Sequence, residues 1–490
     1  MKRLAAIIAF CLAFNATQAQ IANAGFETTS DTLATTPQSW KWRPTAGYTV
    51  KLTEQEKHAG SKSLQIQSAG AAPGAYQTVS QVIPIQTSVL KRITVMAYLK
   101  ASDVKSNAQL LAQVFDSRNR ILSHQTSQMQ QEALSGTNDW KRLTLKLTID
   151  SNAKTLLLGA QLTGTGTVWL DDFATEDLPK INSAPSKDLV KFSREVTAMV
   201  KRRSIYADSV NWQAAEQGLQ ELTASGLTRE DSPVILDYMV SRLRLAGDKH
   251  SNYKSKTMAQ DYATRNSVAR QPESKLLPGG VGYISVPAFG SVSDTASVNF
   301  ASHIQQLIQD LDTRQDVKGW VVDLRRNNGG NMYPMMAGLG PLVGEGTLGG
   351  FLYPEIKDSQ SSAWTYHQGS FAIGRAKYVT VARPYTLRKP ESKIAVLIGA
   401  GTASSGEMTT LSFAGKPNAR LFGQPTAGYV TTNSQIKLST GDYLYLAAGY
   451  AADRNQKKYM VNIPPDVLVP PGNSQQTDAA LEAALKWLND

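Results

Sequence analysis

The chain has 490 residues, of which 41% are hydrophobic, and carries 51 Lys and Arg against 40 Asp and Glu, a formal charge of +11. This length favours more than one domain. The basic residues form no block interleaved with aromatic side chains, which argues against a nucleic-acid-binding protein. The only cysteine is Cys11, so the rest of the chain offers no disulfide, no thiol nucleophile and no cysteine ligand for a metal.

The first 19 residues have the features of a secretory signal peptide. Lys2 and Arg3 precede an apolar run over 4–14, and small residues follow up to Ala19. We expect cleavage after Ala19, which lowers the formal charge from +11 to +9 because two basic residues are lost. The apolar run is too short to cross a bilayer, and no longer run follows. The sequence therefore predicts an exported protein, periplasmic or extracellular, without a transmembrane anchor.

Residues 20–178 predict an all-β module. Short segments of alternating polarity are separated by turns rich in Gly, Asn, Ser and Pro. The clearest of these predicted strands are 63–67, 92–99, 110–115, 141–148 and 155–161. A polar segment flanked by prolines follows at 179–186 and predicts a linker.

Three stretches of this module resemble jelly-roll modules of the carbohydrate-binding-module type: 23–27 (NAGFE), 37–40 (PQSW) and 168–173 (VWLDDF). The resemblance implies a jelly-roll sandwich, a cell-envelope glycan as partner, and a structural calcium ion between the first and last strands. Glu27 and Asp172 are the residues whose carboxylate oxygens could hold that ion. The alternative is a plain β-sandwich that binds neither ion nor sugar and only packs against an enzyme.

Residues 187–250 predict a helical subdomain. Leu189, Phe192 and Val196 share one face at helical spacing. The segments 211–224 and 231–245 predict two further helices. The last of them leads into 247–251 (GDKHS), which contains His250, one of five histidines in the chain.

From residue 251 to residue 490, strands and helices alternate, which predicts a mixed α/β core. The predicted elements are strands at 281–286, 320–324 and 393–400, a helix at 296–311, a hairpin at 435–438 and 443–448, and a closing helix at 478–488.

The strand at 393–400 (KIAVLIGA) ends in a turn of small residues, 401–407 (GTASSGE). A serine at such a strand-to-helix turn presents its hydroxyl to solvent. The backbone N–H groups that follow it lie at a helix N-terminus, where they can hold a developing oxyanion. A second buried strand ends in the pair Gly329-Gly330, and the GDKHS segment supplies a histidine. Together these segments predict a nucleophilic site.

Five blocks in one order resemble the tail-specific (C-terminal processing) serine peptidase family: 282–289 (GYISVPAF), 323–330 (DLRRNNGG), 401–407 (GTASSGE), 423–428 (GQPTAG) and 464–466 (PPD). The resemblance implies a crotonase-like α/β core, with Ser404 rather than Ser405 as the nucleophile. It also implies an oxyanion hole made by the amide of Gly329 or Gly330 together with that of Ser405. The expected substrate is a short peptide or an unfolded protein, and no cofactor is expected for catalysis.

Two departures separate this chain from the members that use a Ser-Lys pair. Tyr429 occupies the position of the lysine base, just after the T-x-G of the fourth block, and Lys416 and Lys437 lie outside that block. The interval between residues 251 and 279 is too short for the PDZ module of many relatives. We therefore expect neither a lysine base nor a PDZ domain.

The tricorn-like and retinoid-binding-protein-like branch of the family uses instead a histidine that follows the N-terminal helices. In this chain His250 holds that position, within 245–250 (LAGDKH). A neutral imidazole, with an unperturbed pKa of about 6.5, can accept the Ser404 proton near neutral pH. A carboxylate is expected to orient the imidazole. Asp248, Glu407 and Asp453 are the candidates, and the sequence does not choose between them.

These observations predict an exported serine peptidase that works through an acyl-enzyme at Ser404, with His250 as base. Two alternatives stay open: a non-catalytic ligand-binding protein on a peptidase scaffold, and an envelope protein in which glycan binding by the β module is the main function. Asp323 and Arg325 are expected to form a structural ion pair that shapes the oxyanion loop. Asp466 is expected to stabilise a turn.

Overall fold

The fold is described from a computed structural model, which describes residues 21–490 except 31–35, 73, 180, 182, 257, 259–269, 355–361 and 471–477. The predicted signal peptide lies outside the described residues, as does much of the interval that was too short for a PDZ module. No helix in the described part of the chain is long and apolar enough to cross a bilayer. The chain divides into two compact units, Met1–Asn182 and Ser183–Asp490.

The described residues of the first unit form eight antiparallel strands and one short 3-10 helix at Ser127–Gln130. The strands are β1 (Thr49–Thr53), β2 (Ser63–Ser68), β3 (Tyr76–Pro84), β4 (Lys91–Phe115), β5 (Ile121–Thr126), β6 (Leu134–Ile149), β7 (Thr155–Thr163) and β8 (Gly166–Asp177).

The long strand β4 connects the two layers of the module. The strand order is β1-β2-β8-β4-β7-β3, and β5 and β6 also pair with β4. The first half of β4 pairs with β6 and β8, whereas its second half pairs with β7 and β5. The sequence predicted two strands here because polar residues between 102 and 107 resemble a turn. The chain instead absorbs them through register shifts against β6, so the backbone pairing continues.

The three stretches that resemble carbohydrate-binding modules meet in one aromatic cluster. Phe26 is fully buried, and its ring centroid lies 4.9 Å from that of Trp40 and 6.0 Å from that of Phe173. The Trp40 and Phe173 centroids are 4.7 Å apart. Aromatic contacts of this kind join the first stretch of the module to its last strand.

The second unit contains helices and strands from all predicted α/β segments. Its helices are α1 (Lys187–Arg203), α2 (Trp212–Thr223), α3 (Ser232–Leu245), α4 (Asp294–Arg314), α5 (Met332–Gly338), α6 (Gly340–Val343), α7 (Ser405–Leu411) and α8 (Ala479–Asn489). Its strands are β9 (Asn252–Lys254), β10 (Glu273–Leu277), β11 (Val281–Ser285), β12 (Gly319–Asp323), β13 (Gly346–Leu352), β14 (Ala363–His367), β15 (Ser370–Ile373), β16 (Ala376–Thr380), β17 (Lys393–Ile398), β18 (Ala419–Gly423), β19 (Ser434–Lys437), β20 (Tyr443–Leu446), β21 (Tyr450–Ala452), β22 (Lys458–Tyr459) and β23 (Val467–Leu468).

The central sheet has the order β10-β11-β12-β17-β18-β23 and is parallel from β11 onward. Alternate side chains of β12 enter two different cores. Trp320 and Val322 pack in the cluster that contains Ile304 of α4, whereas Val321 packs in the cluster that contains Ala484 of α8. Helices therefore cover both faces of the sheet. The carboxyl ends of β12 and β17 lie side by side, which brings the glycine pair and the serine turn together.

Two smaller sheets complete the second unit. One has the order β16-β15-β14-β13-β21-β22, and the other has the order β19-β20-β9. The first was not predicted, because its strands are short and β13 begins in a glycine-rich stretch that resembles a loop. In the second, β9 pairs with the predicted hairpin and so anchors the chain just after His250. The predicted fold class, a β-sandwich module followed by a helical segment and an α/β core, is confirmed.

Candidate active site

Ser404 occupies the turn between β17 and α7. Its backbone has φ +51° and ψ −116°, a conformation that a residue with a side chain rarely adopts. The Ser404 N–H donates to Glu407 Oε2 at 2.8 Å. The hydroxyl of Thr402, which donates to Leu324 O at 2.9 Å, ties the same turn to the end of β12. Tertiary contacts thus hold the serine in a strained turn.

The loop after α3 presents His250 to this serine. Asp248 Oδ1 accepts hydrogen bonds from the backbone N–H of His250 at 2.8 Å and of Ser251 at 3.0 Å, which closes a tight turn. His250 Nε2 then lies 3.2 Å from Ser404 Oγ. The two predicted residues, 154 positions apart in the sequence, are therefore within hydrogen-bonding distance.

The other ring nitrogen of His250 contacts Thr431 instead of a carboxylate. Nδ1 lies 3.1 Å from both the carbonyl oxygen and the hydroxyl of Thr431. Because a carbonyl only accepts, we assign the proton to Nδ1, which leaves the lone pair of Nε2 facing the Ser404 hydroxyl. The sequence missed Thr431, since a backbone carbonyl carries no sequence signal.

The predicted orienting carboxylates have other partners. Asp248 binds the backbone of its own loop through Oδ1, and its buried Oδ2 has no hydrogen-bond partner among the described residues. Glu407 binds backbone amides of two loops. Asp453 accepts from the backbone of Asn455 at 2.9 Å and of Lys457 at 3.1 Å. The prediction of a carboxylate hydrogen-bonded to the imidazole is wrong.

The surroundings of His250 favour the neutral imidazole. Burial lowers the pKa of His250, while the charge of Asp248 and the hydrogen bond with Thr431 act in the opposite direction and only partly compensate. A neutral imidazole next to a hydroxyl can accept its proton.

The glycine pair after β12 packs directly against the serine turn. A Cβ on Gly329, whose φ is +110°, would lie 3.0 Å from Ser404 Cβ, and one on Gly330 would lie 2.1 Å from Phe289 O. The Gly329 N–H donates to Asn327 Oδ1 at 3.1 Å, which favours Gly330 between the two glycines predicted as the oxyanion donor. Among the described residues, the N–H groups of Gly330 and Ser405 have no acceptor. These two amides can bind a substrate oxygen.

Glu407 joins the serine turn to the loop that carries Thr431. It is fully buried. Its Oε2 accepts from the N–H of Ser404 and of Tyr429, both at 2.8 Å. Its Oε1 accepts from the N–H of Gly428 at 2.8 Å and from the Thr426 hydroxyl at 2.5 Å. One carboxylate thereby positions the serine relative to the loop on which His250 depends.

The remaining predicted residues of the core lie around this centre. Arg325 pairs with Asp323 at 2.6 Å and with Asp478 at 2.7 Å, which forms the expected structural ion pair and extends it to the start of α8. Asp466 Oδ2 accepts from the N–H of Leu421 at 2.8 Å. The ring of Tyr429 meets the His250 ring edge-on, with centroids 5.5 Å apart.

The two residues proposed for calcium bind the same loop of the β module. Glu27 Oε1 accepts from the N–H of Ser61 at 2.9 Å and of Lys62 at 3.2 Å, and Asp172 Oδ2 lies 2.7 Å from His58 Nδ1. Within the described part of the chain, no group of three or more His, Cys, Asp or Glu side chains is placed to hold a metal ion. Hydrogen bonds already occupy oxygens of Glu27 and Asp172 that a calcium ion would need. Calcium binding therefore stays a prediction.

The fold and the Ser–His pair define a two-domain protein with a peptidase-type scaffold. Residues 280–469 match peptidase family S41, and residues 18–167 match a carbohydrate binding domain. The chain carries a peptidase family S41 domain preceded by a module of the carbohydrate-binding type.

Among known proteins, the chain is similar to the nisin-resistance protein of Lactococcus lactis subsp. lactis, with 27% identity over 300 residues, 61% of this chain and 86% of the relative. Among solved structures, it is similar to a lipoprotein from Streptococcus agalactiae, with 26% identity, 62% of this chain and 96% of that chain covered, and a TM-score of 0.47. A photosystem II D1 C-terminal processing protease shares 13% identity over 62% of this chain and 98% of that chain, with a TM-score of 0.41.

Proposed function

We propose that the protein is an exported serine peptidase that cleaves peptides or unfolded proteins through an acyl-enzyme at Ser404. The observation that carries the proposal is the 3.2 Å contact between Ser404 Oγ and His250 Nε2. The peptidase family S41 domain over residues 280–469 supports it. The predicted signal peptide supports export to the periplasm or the extracellular space.

In this mechanism, Ser404 Oγ attacks the carbonyl carbon of the scissile bond while its proton passes to His250 Nε2. The carbonyl oxygen becomes an oxyanion, which the N–H groups of Gly330 and Ser405 stabilise. The C–N bond then breaks, and the leaving amine takes the proton from His250. His250 then takes a proton from a water molecule, which attacks the acyl ester. The bond to Ser404 Oγ breaks, the second product leaves, and His250 returns the proton to Ser404.

Thr431 takes the orienting role that an aspartate has in a Ser-His-Asp triad. Its carbonyl fixes the Nδ1–H tautomer, but it carries no full negative charge to stabilise the imidazolium. The negative charge of Asp248 opposes part of the lowering of the His250 pKa by burial, and it therefore supplies part of that stabilisation through space. Glu407 and Thr431 are positioning residues, because neither touches the reacting atoms.

Reaction of the purified protein with a fluorophosphonate tests the proposal. We expect one phosphonyl group per chain, located at Ser404 by peptide mass mapping, because only an activated serine reacts with this reagent. The Ser404→Ala variant is the control and should stay unlabelled. A folded wild-type protein that does not react would favour the non-catalytic binding protein.

The labelling rate should follow the protonation of His250. Burial lowers the pKa of His250 from the ordinary value of 6.5, so the fraction of neutral base stays high as the pH falls below that value. We therefore expect a single acidic limb in the pH dependence of the labelling rate and of kcat/KM, with its midpoint below about 6.5. A midpoint above that value would contradict a buried imidazole base.

Glu407→Gln should weaken both stability and turnover. The amide group offers one acceptor oxygen in place of two, so two of the four donors bound by Glu407 lose their acceptor. We expect the free energy of unfolding to fall by about 2 to 5 kcal/mol, and kcat to fall more than KM changes, because the serine is displaced from His250. Chemical denaturation and peptide kinetics measure these effects. Glu391→Gln, an exposed site on the same unit, should change neither.

A second candidate function follows from the match of residues 18–167 to a carbohydrate binding domain. We propose that this module binds a cell-envelope glycan and so places the peptidase near its substrates. In the module, the His58 ring stacks on Tyr98 with centroids 3.5 Å apart, and Trp140 lies 5.8 Å from His58. Such aromatic faces can pack against sugar rings. Binding of the full-length protein to a glycan array tests this function, and no retention would favour a purely structural module.

A further inference from the structure

The glycine pair that follows β12 has four polar backbone groups, and three of them are hydrogen-bonded within the described chain. The Gly329 N–H donates to Asn327 Oδ1 at 3.1 Å, and the Gly329 carbonyl accepts from the N–H of Phe289 at 3.2 Å. The Gly330 carbonyl accepts from the Ser405 hydroxyl at 2.5 Å. Among the described residues, the Gly330 N–H has no acceptor. Gly329 is buried and Gly330 is exposed, so the unpaired amide belongs to the residue that a substrate can reach.

The contacts of Phe289 fix the direction of the Gly330 N–H. This N–H and the Gly329 carbonyl belong to one trans peptide unit, so they point in opposite directions. Because the N–H of Phe289 holds the carbonyl, the Gly330 N–H points away from Phe289. The Phe289 carbonyl in turn accepts from the N–H of Asn331 at 2.7 Å, which fixes the chain just after the pair. One orientation of the peptide unit between the glycines is thereby selected.

Asn327 holds the first glycine of the pair. The pair needs such a restraint because its residues have φ +110° and +104°, and glycine loses more conformational freedom on folding than any other residue. Asn327 is fully buried, and its Nδ2 donates to the Val286 carbonyl at 3.2 Å while its Oδ1 accepts from Gly329. A flipped amide would place a donor against the Gly329 N–H and an acceptor against the Val286 carbonyl. The side chain is therefore held in one orientation.

The backbone of Asn327 also holds the serine turn. Its carbonyl accepts from the N–H of Ala403, the residue before Ser404, at 3.0 Å. Gly406 packs on the same carbonyl, since a Cβ built there would lie 2.2 Å from Asn327 O. Ser405, whose N–H is the other free donor, lies between these two contacts in the chain. One buried residue therefore joins the two loops that provide the free amides.

We propose that Asn327 is a positioning residue of the oxyanion hole. Its side chain engages the Gly329 N–H, and this leaves the Gly330 N–H as the amide of the pair that binds the substrate oxygen. The inference rests on the proposed peptidase function. Asn327 acts through Gly330 and lies behind the reacting atoms, so its effect is expected on the transition state rather than on substrate binding.

Asn327→Ala removes the side-chain amide and keeps the backbone contact with Ala403. We expect kcat for peptide hydrolysis to fall roughly 10²-fold, as when one oxyanion donor is lost, and KM to change less than about threefold. Gln305→Ala is the matched control, because Gln305 is also a buried amide: its Nε2 donates to Ala337 O and its Oε1 accepts from the N–H of Tyr385, both at 2.8 Å. This control should destabilise the fold and leave kcat unchanged. Chemical denaturation verifies that both variants are folded under the conditions of the kinetics.

A double variant separates positioning from a general loss of stability. If Asn327 and the Ser405 hydroxyl restrain the same peptide unit, Asn327→Ala combined with Ser405→Ala should lose less kcat than the product of the two single losses. Gln305→Ala combined with Ser405→Ala should show the full product. A fully multiplicative loss in the Asn327 double variant, or an unchanged kcat in Asn327→Ala, would overturn the proposal.

Hydrogen exchange tests the same assignment without peptide cleavage, and its wild-type measurement holds even if Asn327→Ala does not fold. In protein labelled at its glycine nitrogens, NMR should show a slowly exchanging Gly329 amide and a rapidly exchanging Gly330 amide. Asn327→Ala should remove the protection of Gly329. An unprotected Gly329 amide or a protected Gly330 amide in the wild type would overturn the role of Asn327. Failure of Ser404 to react with a fluorophosphonate would overturn the peptidase function instead, since the exchange rates do not depend on that reaction.

Discussion

Ser404→Ala is expected to lower kcat/KM for peptide hydrolysis by roughly 10⁵-fold, because no other group near the substrate carbonyl can form the acyl-enzyme. The fold should persist. The Ser404 hydroxyl contacts His250. The turn is held instead by the hydrogen bond from the backbone N–H of residue 404 to Glu407, and an alanine at this position keeps that N–H. We expect the free energy of unfolding to change by less than about 1 kcal/mol. Steady-state kinetics and chemical denaturation of the same preparation check both statements.

Ser405→Ala is the matched control for this prediction. The Ser405 hydroxyl donates to Gly330 O at 2.5 Å and so supports the oxyanion loop, whereas its backbone N–H is unaffected by the substitution. We expect a loss of roughly tenfold, as for one hydrogen bond. Full inactivation by Ser405→Ala together with an active Ser404→Ala would show that the nucleophile is the neighbouring serine.

His250→Ala is expected to reduce both fluorophosphonate labelling and kcat/KM by roughly 10⁴-fold or more, because the serine loses its only base and the leaving amine loses its acid. The acidic limb of the pH profile should disappear with it. His303 lies on α4, and its ring contacts Gln271. His303→Ala is the control and should keep the wild-type rate. A rate that survives His250→Ala would exclude His250 as the base and would leave Ser404 to be activated by another group.

Thr431→Val separates the carbonyl of Thr431 from its hydroxyl. The substitution removes the hydroxyl contact to His250 Nδ1 and leaves the carbonyl contact, both of which are 3.1 Å long in the wild type. We expect less than about a tenfold loss of kcat/KM, far below the roughly 10⁴-fold loss when the aspartate of a Ser-His-Asp triad is neutralised. A loss as large as that of His250→Ala would mean that the hydroxyl, not the carbonyl, orients the imidazole.

Short-range patterns predicted the fold class and the two segments that carry Ser404 and His250, and the resemblance to the peptidase family then selected these two residues within them. Both residues lie in segments whose neighbours carry the signal: a buried strand before a turn of small residues for Ser404, and amphipathic helices before a tight turn for His250. Such periodicity arises from which face of an element is buried, and it is therefore visible within ten to twenty residues of sequence. The parallel strands β12 and β17 were predicted for the same reason.

The partners of the buried polar groups depended on tertiary structure. Thr431 lies 181 residues from His250, and Glu407 bonds a loop about twenty residues away, so no local pattern could relate them. A carboxylate within a motif will satisfy whichever donors the packed chain brings to it, since an unpaired buried donor is costly. Sequence patterns identify the elements that meet, whereas the packed fold determines which of their polar atoms are paired and which remain free for a substrate.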